Sequence, residues 1–391
     1  MQASQAKTSL SLMAIFFVIP GALIVNPAIQ TIADAYPTIP HTLILLLSTI
    51  PLLIVVPMSL ISGALAGNKV KYKHLLFVAM VFYVIGGSLP FVFRAFYAVL
   101  GARVIYGIGV GILTPLANGI IIQLYAGQKR ANMMGMGSIV INVASTIFML
   151  LSGLISAIDL NFMWLIHLIG IIPLVIMMLY LPEPEKVEPQ QHAKVKMPVS
   201  VYFISLATIF IYMNLNTMLL NMSTILTTEN IGNAATAGTV LSMYTVGGIL
   251  GGTLFGKYFQ FFGKMTNPSA LVVMGIGLGI ISFAVTVPMM IVGCAVAGIG
   301  FFILFPALLM DAGQRVSLTA SAMVSAMIFS SINFGGFLAS VYIGFLSQLF
   351  SSTSPRLSIA VSMAVMFIAA AIWGLITVFS NSYSDIAVEA Q

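Results

Sequence analysis

Apolar blocks of about 20 residues or more follow one another along almost the whole chain, separated by short polar breaks, and few folds accommodate that pattern. At 1.5 Å per helical residue, each block is long enough to cross roughly 30 Å of hydrocarbon. The blocks cover residues 10–32, 42–66, 74–93, 97–123, 133–158, 163–181, 199–226, 237–259, 270–287, 289–310, 320–349 and 357–379. They are continuously apolar, whereas barrel strands alternate over about ten residues, so helices are expected. Charged residues make up 6% of the chain, against roughly 25% in a soluble domain. The predicted fold class is an all-α membrane protein with twelve transmembrane helices. The first block lacks a basic leader and a small-residue cleavage site, and is expected to remain as a span.

The chain also repeats itself. Gly107-Ile108-Gly109-Val110-Gly111-Ile112-Leu113-Thr114-Pro115 returns 191 positions later as Gly298-Ile299-Gly300-Phe301-Phe302-Ile303-Leu304-Phe305-Pro306. At the same displacement Asn142 falls on Asn333 and Gly153 on Gly344, while Gly63 and Gly67 match Gly252 and Gly256 at a displacement of 189. Parallel repeats of this kind build many secondary transporters. Two pseudo-symmetric six-helix bundles are therefore expected, 1–182 and 199–391, joined by a proline-rich, mixed-charge linker at 183–198.

Basic residues concentrate on the side of the membrane that stays cytoplasmic. With the amino terminus inside, Lys7, Lys69, Lys71, Lys73, Lys129, Arg130, Lys186, Lys194, Lys196, Lys257, Lys264 and Arg315 all fall on that side, while Arg94 and Arg356 fall outside and Arg103 lies within a span. Both termini are thus expected in the cytoplasm, and attraction to anionic lipid accounts for the net charge of +6 without a nucleic-acid partner. Cys294 is the one cysteine, so no internal disulfide can form, and its place in span ten predicts a small buried hydrophobe.

The chain resembles the major facilitator superfamily over nearly its whole length, and four segments carry the resemblance. Between spans two and three that family carries G-x-x-x-D-R-x-G-R-R/K; here Gly63 and the later lysines match, while Gly67, Asn68 and Val70 replace the acid, the first arginine and the second glycine. The span-four signature, an arginine followed by G-x-G, is intact as Arg103 with Gly107-Ile108-Gly109. Asn26 to Ala33 and Pro182-Glu183 resemble the twelve-span drug/proton antiporter branch, but span five reads Asn142-Val143-Ala144-Ser145-Thr146-Ile147 instead of the exporters' G-P-x-x-G-G. The resemblance implies two bundles rocking about a central site near the bilayer midplane, in a monomer of the bacterial inner membrane. It also implies a weaker or differently built cytoplasmic gate, because neither Gly67 nor Gly256 can supply the family's latching acid.

A polar solute crosses lipid only where hydrogen-bonding groups replace its water. Candidate substrate-binding residues are Asn26 and Gln30 in span one, Arg103, Tyr106 and Asn118 in four, Asn142 in five, Asn214, Thr217 and Asn221 in seven, Tyr244 in eight and Asn333 in eleven. Asn214, Thr217 and Asn221 share one helical face; that face either lines the path or bonds to a neighbouring helix. Arg103 either meets an anionic substrate group or organises carbonyls between spans one and four. Asp34 and Asp311 are the foremost candidates for coupling protons or another ion, and His167 reads as an interfacial or helix-packing residue. The clustered glycines lack a following Lys-Ser/Thr and sit in apolar spans, so they read as helix contacts, not phosphate loops.

No metal cluster, cofactor motif or soluble catalytic domain is evident, and enzymatic activity is not expected. Two transport functions stand open: export of small amphipathic or drug-like compounds, and uptake or exchange of a small organic anion through Arg103. A membrane receptor or lipid-translocating protein is a third, fold-level alternative.

Overall fold

The structure is a computed structural model in which residues 2–67, 69–184, 197–316 and 321–379 are described. Most of the predicted linker, with Lys186, Lys194 and Lys196, and Asn68 of the span-two loop lie outside the described residues. Among the described residues eleven segments are long and apolar enough to cross a membrane. One of them, Ala234–Phe283, has 50 residues, or about 75 Å of helix, and it contains two helices, Ala234–Phe262 and Thr266–Phe283. The chain reverses between them at Gly263, whose φ of +50° favours glycine.

The twelve spans are then Ala6–Ala35, His41–Leu65, Tyr72–Phe91, Phe96–Leu124, Gly127–Ile158, Leu160–Tyr180, Val199–Thr228, Ala234–Phe262, Thr266–Phe283, Val287–Gln314, Ser321–Leu349 and Pro355–Phe379. Backbone-to-backbone glycine contacts fix their directions. A Cβ on Gly109 of span four would lie 2.6 Å from both the Ala79 oxygen and the Tyr83 nitrogen of span three, and Gly86 lies equally tight against Ala102 and Tyr106. A higher number on one helix meets a lower number on the other, so these two spans are antiparallel. Span two is parallel to span four, since Pro51 meets Gly107 and Val55 meets Gly111.

Every one of these relations returns in the second half. Gly300 meets Ala270 and Met274, and Gly277 meets Gly293 and Ala297, each contact displaced by the same 191 positions. Tyr244 meets Gly298 and Gly248 meets Phe302, so span eight is parallel to span ten while span nine is antiparallel. Spans eight and nine therefore cross in opposite directions. These contacts pair Pro51 with Tyr244 and Val55 with Gly248, a displacement of 193, so the register of 189 expected for span two is out by one helical turn. Glycines four apart lie on the same helical face, which lets a sequence match slip by that amount. Gly63 thus corresponds to Gly256.

Span one is irregular. Its 3-10 stretch, Ile19–Ala28, contains Pro20, Gly21 and Pro27; proline removes a helical N–H and breaks the regular ladder. Carbonyls along it are taken up by neighbouring spans, as backbone at membrane depth requires: Ala22 accepts from Arg103 at 3.5 Å, Ile24 from Ser152, and Pro27 from Ser223 at 2.8 Å. At the helix ends, both Glu183 oxygens accept from the backbone N–H groups of Tyr72 (2.6 Å) and Lys73 (3.0 Å), a charge-assisted cap on span three. Gly67, with φ of +76°, turns the preceding loop in a conformation an acid would adopt only under strain. Arg356 pairs with Glu229 and also donates to the Ile281 and Ser282 carbonyls at the end of span nine and to that of Ala284 just beyond it.

Three apolar cores follow. One lies within spans one to six, one is built mainly from spans seven to twelve, and the third joins Ile24, Ile44, Leu47, Phe148 and Trp164 to Met213, Leu220, Ala339 and Ile343. That third core ties the halves together, helped by Met149 of span five, which belongs to the second.

Candidate functional site

With an even number of spans, both termini and the linker lie at one end of the bundle, the linker end, and the loops after spans one, three and five at the far end. Contacts between the halves gather at the far end. Thr49 of span two donates to Ser340 of span eleven at 3.0 Å, and the hydroxyls of Thr146 in span five and Thr245 in span eight lie 2.7 Å apart. Gly153 and Gly238 bring spans five and eight into backbone contact, and Gly344 and Gly336 admit Thr42 and Leu52.

Helices that cross at a shallow angle meet along a stripe repeating about every seven residues. Thr42 and Thr49 extend by that step to Gly63; Met149, against Gly238, extends back through Asn142 to Gly135; Gly238 and Thr245 extend to Gly252; Ser340 extends back to Asn333. A Cβ on Gly63, Gly135 or Gly252 would meet nothing within 4 Å. The stripes of spans two, five and eight are therefore packed at the far end and uncovered at the linker end, and that of span eleven reaches half-buried Asn333. They bound a crevice between the halves that opens toward the linker end and narrows at Thr49, Ser340, Thr146 and Thr245.

Asn142 and Asn333, paired by the duplication, stand on the parted stretch. Each amide nitrogen donates to its own helix, to Ser138 at 3.0 Å and Phe329 at 2.8 Å. Asn333 is half-buried and Asn142 buried, and their apolar neighbours Ile139, Val143 and Phe329 are exposed. The exposed wall is thus mostly hydrocarbon, with the half-buried Asn333 amide in it and the Asn142 amide covered beneath it.

The remaining candidates lie elsewhere. Thr217 and Asn221 meet Ser362 and Ser358 of span twelve at 3.1 and 2.9 Å, so the shared face of span seven is turned into its own half. Asn214 is buried and donates to Phe210. Asn221 also borders a far-end cavity of about 230 Å3 lined by His41, Thr42, Thr224, Ser347 and Ser354. Asn26 is buried and accepts from Ser48 at 2.5 Å. Gln30 donates to exposed Asp34 at 2.8 Å near the far-end surface. Asn118 is half-buried on Thr114, and Tyr244 packs against Phe301 and Phe302. Asp311 forms a 2.7 Å ion pair with Arg315 on the outer flank of spans seven, ten and twelve. Cys294 is buried beside Met218, as expected of a small hydrophobe.

Arg103 is wholly buried. Its Nε donates to the Leu47 carbonyl of span two at 2.9 Å and Nη2 to Ala22 of span one, while the guanidinium lies 4.3 Å from the Tyr106 ring centroid. Tyr83, Tyr106 and His167 complete an aromatic cluster with centroids 5.0–5.5 Å apart. The arginine organises carbonyls of spans one and two, with no face on the crevice. His167 is a helix-packing residue of that cluster, not an interfacial one. The reading of single residues missed the hydroxyls that close the far end, Thr49, Thr146, Ser223, Thr245 and Ser340. A lone serine or threonine in an apolar span carries little signal, but the seven-residue steps Thr42-Thr49-Val56-Gly63 and Gly238-Thr245-Gly252 were there to be found.

The family model described as Major Facilitator Superfamily matches residues 11–340. Among solved structures, a bacterial homolog of the human lysosomal transporter Spinster, in an inward-facing and unoccupied conformation, superposes with a TM-score of 0.74 at 15% identity over 96% of both chains. A POT family transporter in complex with 5-aminolevulinic acid gives 0.78 at 10% identity, covering 95% of this chain and 96% of the other. A D-xylose-proton symporter gives 0.73 at 15% identity over 94% and 96%. No curated protein matches the chain. The agreement of the family match with a fold shared over nearly the full length of these transporters establishes that the chain belongs to the Major Facilitator Superfamily.

Proposed function

We propose that this protein is a secondary transporter that works by alternating access and carries small amphipathic compounds, exporting them from a cytoplasm that faces the linker end. The observation that carries the reading is the set of stripes packed at one end and uncovered at the other, the arrangement a rocking carrier needs in one of its two states. The sidedness rests on the basic residues gathered at the linker end. A mostly apolar wall with the Asn333 amide in it and Asn142 just beneath suits a solute that is itself mostly apolar, and the likeness of Asn26 to Ala33 and Pro182-Glu183 to the drug/proton antiporter branch supports export. The organic-anion alternative has less support, because Arg103 has no open face toward the crevice.

A ligand-stabilisation screen of detergent-purified protein tests this. A ligand at 100 times its Kd adds about 2.7 kcal/mol to the folded state. Hydrophobic cations and neutral amphipaths are expected to raise the Tm, and Asn142→Ala or Asn333→Ala to weaken that response by roughly tenfold, the loss of one buried polar contact. Carboxylates as the stabilising class, with an effect that disappears in Arg103→Ala, would replace this reading with the organic-anion one.

A further inference from the structure

A groove of about 720 Å3 runs down the outer flank of the second half, between spans seven and twelve at their linker ends. Its walls reach from Ser200 to Phe210 on span seven and from Ile376 to Val365 on span twelve, about 15 Å along each helix. That is half of the roughly 30 Å of hydrocarbon, the depth of one leaflet. Phe203, Ile368 and Ile372 on the walls are exposed, so the groove opens outward to lipid. Ser200, Asp311 and Arg315 stand at its linker end, and the deeper lining is aliphatic or aromatic.

In the first half the corresponding place is filled. At the displacement of 191, Ser200 corresponds to Ser9, whose hydroxyl lies 2.9 Å from that of Tyr125 at the end of span four. Ser11 donates to the Ile176 carbonyl of span six at 3.4 Å, and the Lys7 ammonium lies 5.2 Å from the Tyr180 ring centroid. Spans seven and twelve are instead joined toward the far end, through Thr217 with Ser362 and Asn221 with Ser358. Asp311 and Arg315 correspond to Ile120 and Leu124. The charged pair thus belongs to the half whose outer spans part, and the groove is a property of that half and not a demand of the fold.

Its mouth suits an anion. Asp311 Oδ1 accepts from Arg315 Nε at 3.0 Å and Nη2 at 2.7 Å, which fixes the guanidinium in place. The exposed member of the pair is the arginine, at 38% against 8% for the aspartate. Ser200 lies in the first turn of a 30-residue helix, where backbone N–H groups lack partners within the helix and the dipole is positive. Two positive elements above an apolar slot one leaflet deep match a phosphate with an acyl chain beneath it. A choline group would bring a second cation beside Arg315, whereas a glycerol headgroup leaves the charge of the phosphate unopposed.

We propose that this groove binds one anionic phospholipid of the linker-end leaflet, its phosphate on Arg315 and the first turn of span seven and an acyl chain along Phe203, Ala207 and Ile372. The lipid fills the second half where its own helices do not meet.

Trp373 lines the groove and is one of two tryptophans, so in a Trp164→Phe background it reports occupancy. The purified full chain is reconstituted in phosphatidylcholine containing a minor fraction of phosphatidylglycerol, with bromine on the acyl chains of one lipid or the other, and quenching of the tryptophan is measured. Leu179→Trp with Trp373→Phe moves the reporter to an exposed position at the linker end of span six and reads the general enrichment of anionic lipid around a basic protein. The preference for phosphatidylglycerol at Trp373 is expected to exceed that at the span-six reporter about fivefold, the effect of one basic residue on an anionic headgroup. Arg315→Gln is expected to remove the excess and Arg315→Lys, which keeps the charge, to retain it. Each variant is compared with itself across the two lipids, so a lower stability does not obscure the reading. Equal preference at the two reporters, or an undiminished excess in Arg315→Gln, would overturn the proposal. Ala207→Phe, which fills the groove and leaves Arg315 in place, is expected to abolish the excess as well; an excess that survived it would put the lipid outside the groove and equally overturn the proposal.

Discussion

Gly153→Leu is expected to hold the far end of the protein open. A Cβ at Gly153 already lies 2.5 Å from the Ala234 oxygen and 2.9 Å from the Gly238 Cα, both backbone atoms that cannot swing aside. Overpacking costs about 1–3 kcal/mol, which shifts a two-state equilibrium by roughly fivefold to more than a hundredfold. The state penalised is the one described here, because the partner bundle touches Gly153 only when the far end is closed. Labelling of Ser340→Cys with a membrane-impermeant maleimide reads the shift, and the native Cys294, being buried, should stay silent. In the parent the introduced thiol is expected to react slowly, sealed beside Thr49; with Gly153→Leu the rate should rise by roughly tenfold or more. Equal rates in the two backgrounds would mean that the glycine contact does not close the far end.

Gly109→Val and Gly300→Val are expected to be the most destabilising single changes of their kind, and to be so equally. Both glycines press on the backbone of the antiparallel neighbour, Gly109 at 2.6 Å from Ala79 and Tyr83 and Gly300 at 2.7 Å from Met274. A branched side chain must force those helices apart, at about 3 kcal/mol or more where backbone has to move. Each should collapse the yield of monodisperse protein. Gly63→Ala and Gly256→Ala serve as matched controls, since a Cβ at either meets open space; these should leave the Tm unchanged or raise it, alanine being the better helix former by about 1 kcal/mol. If valine were tolerated at one of the two buried positions and lethal at the other, the equivalence of the two halves would fail.

Much of the fold was legible because it obeys one-dimensional rules. Block length gave the twelve spans, and the glycine pattern gave the displacement that Gly109 with Ala79 and Gly300 with Ala270 reproduce as contacts. The fifty-residue stretch was divided correctly at its polar break near Lys264, although hydropathy alone runs through it. What periodicity cannot encode is direction. Asn214, Thr217 and Asn221 do share a face, but the spacing is silent on whether it turns to the crevice or to Ser358 and Ser362 of span twelve. Arg103 announced itself as a charge in an apolar span, yet its carbonyl partner on Ala22 exists because prolines at 20 and 27 break the regular helix of span one. The crevice itself is written in small residues, which a search for strongly polar side chains passes over.

The central claim is that the two bundles move as units, so that closing one end opens the other. Electron–electron distance measurements between paired spin labels test it most directly, with Gly135→Cys and Gly252→Cys across the linker end and Thr38→Cys and Phe350→Cys across the far end. The parent is expected to show a long linker-end and a short far-end distance as its main population, matching the parted and packed stripes. Adding Gly153→Leu should shorten the first distance and lengthen the second together. A linker-end distance that stays fixed while the far end widens would contradict the account, because the halves would then be flexing locally and not rocking about a shared crevice.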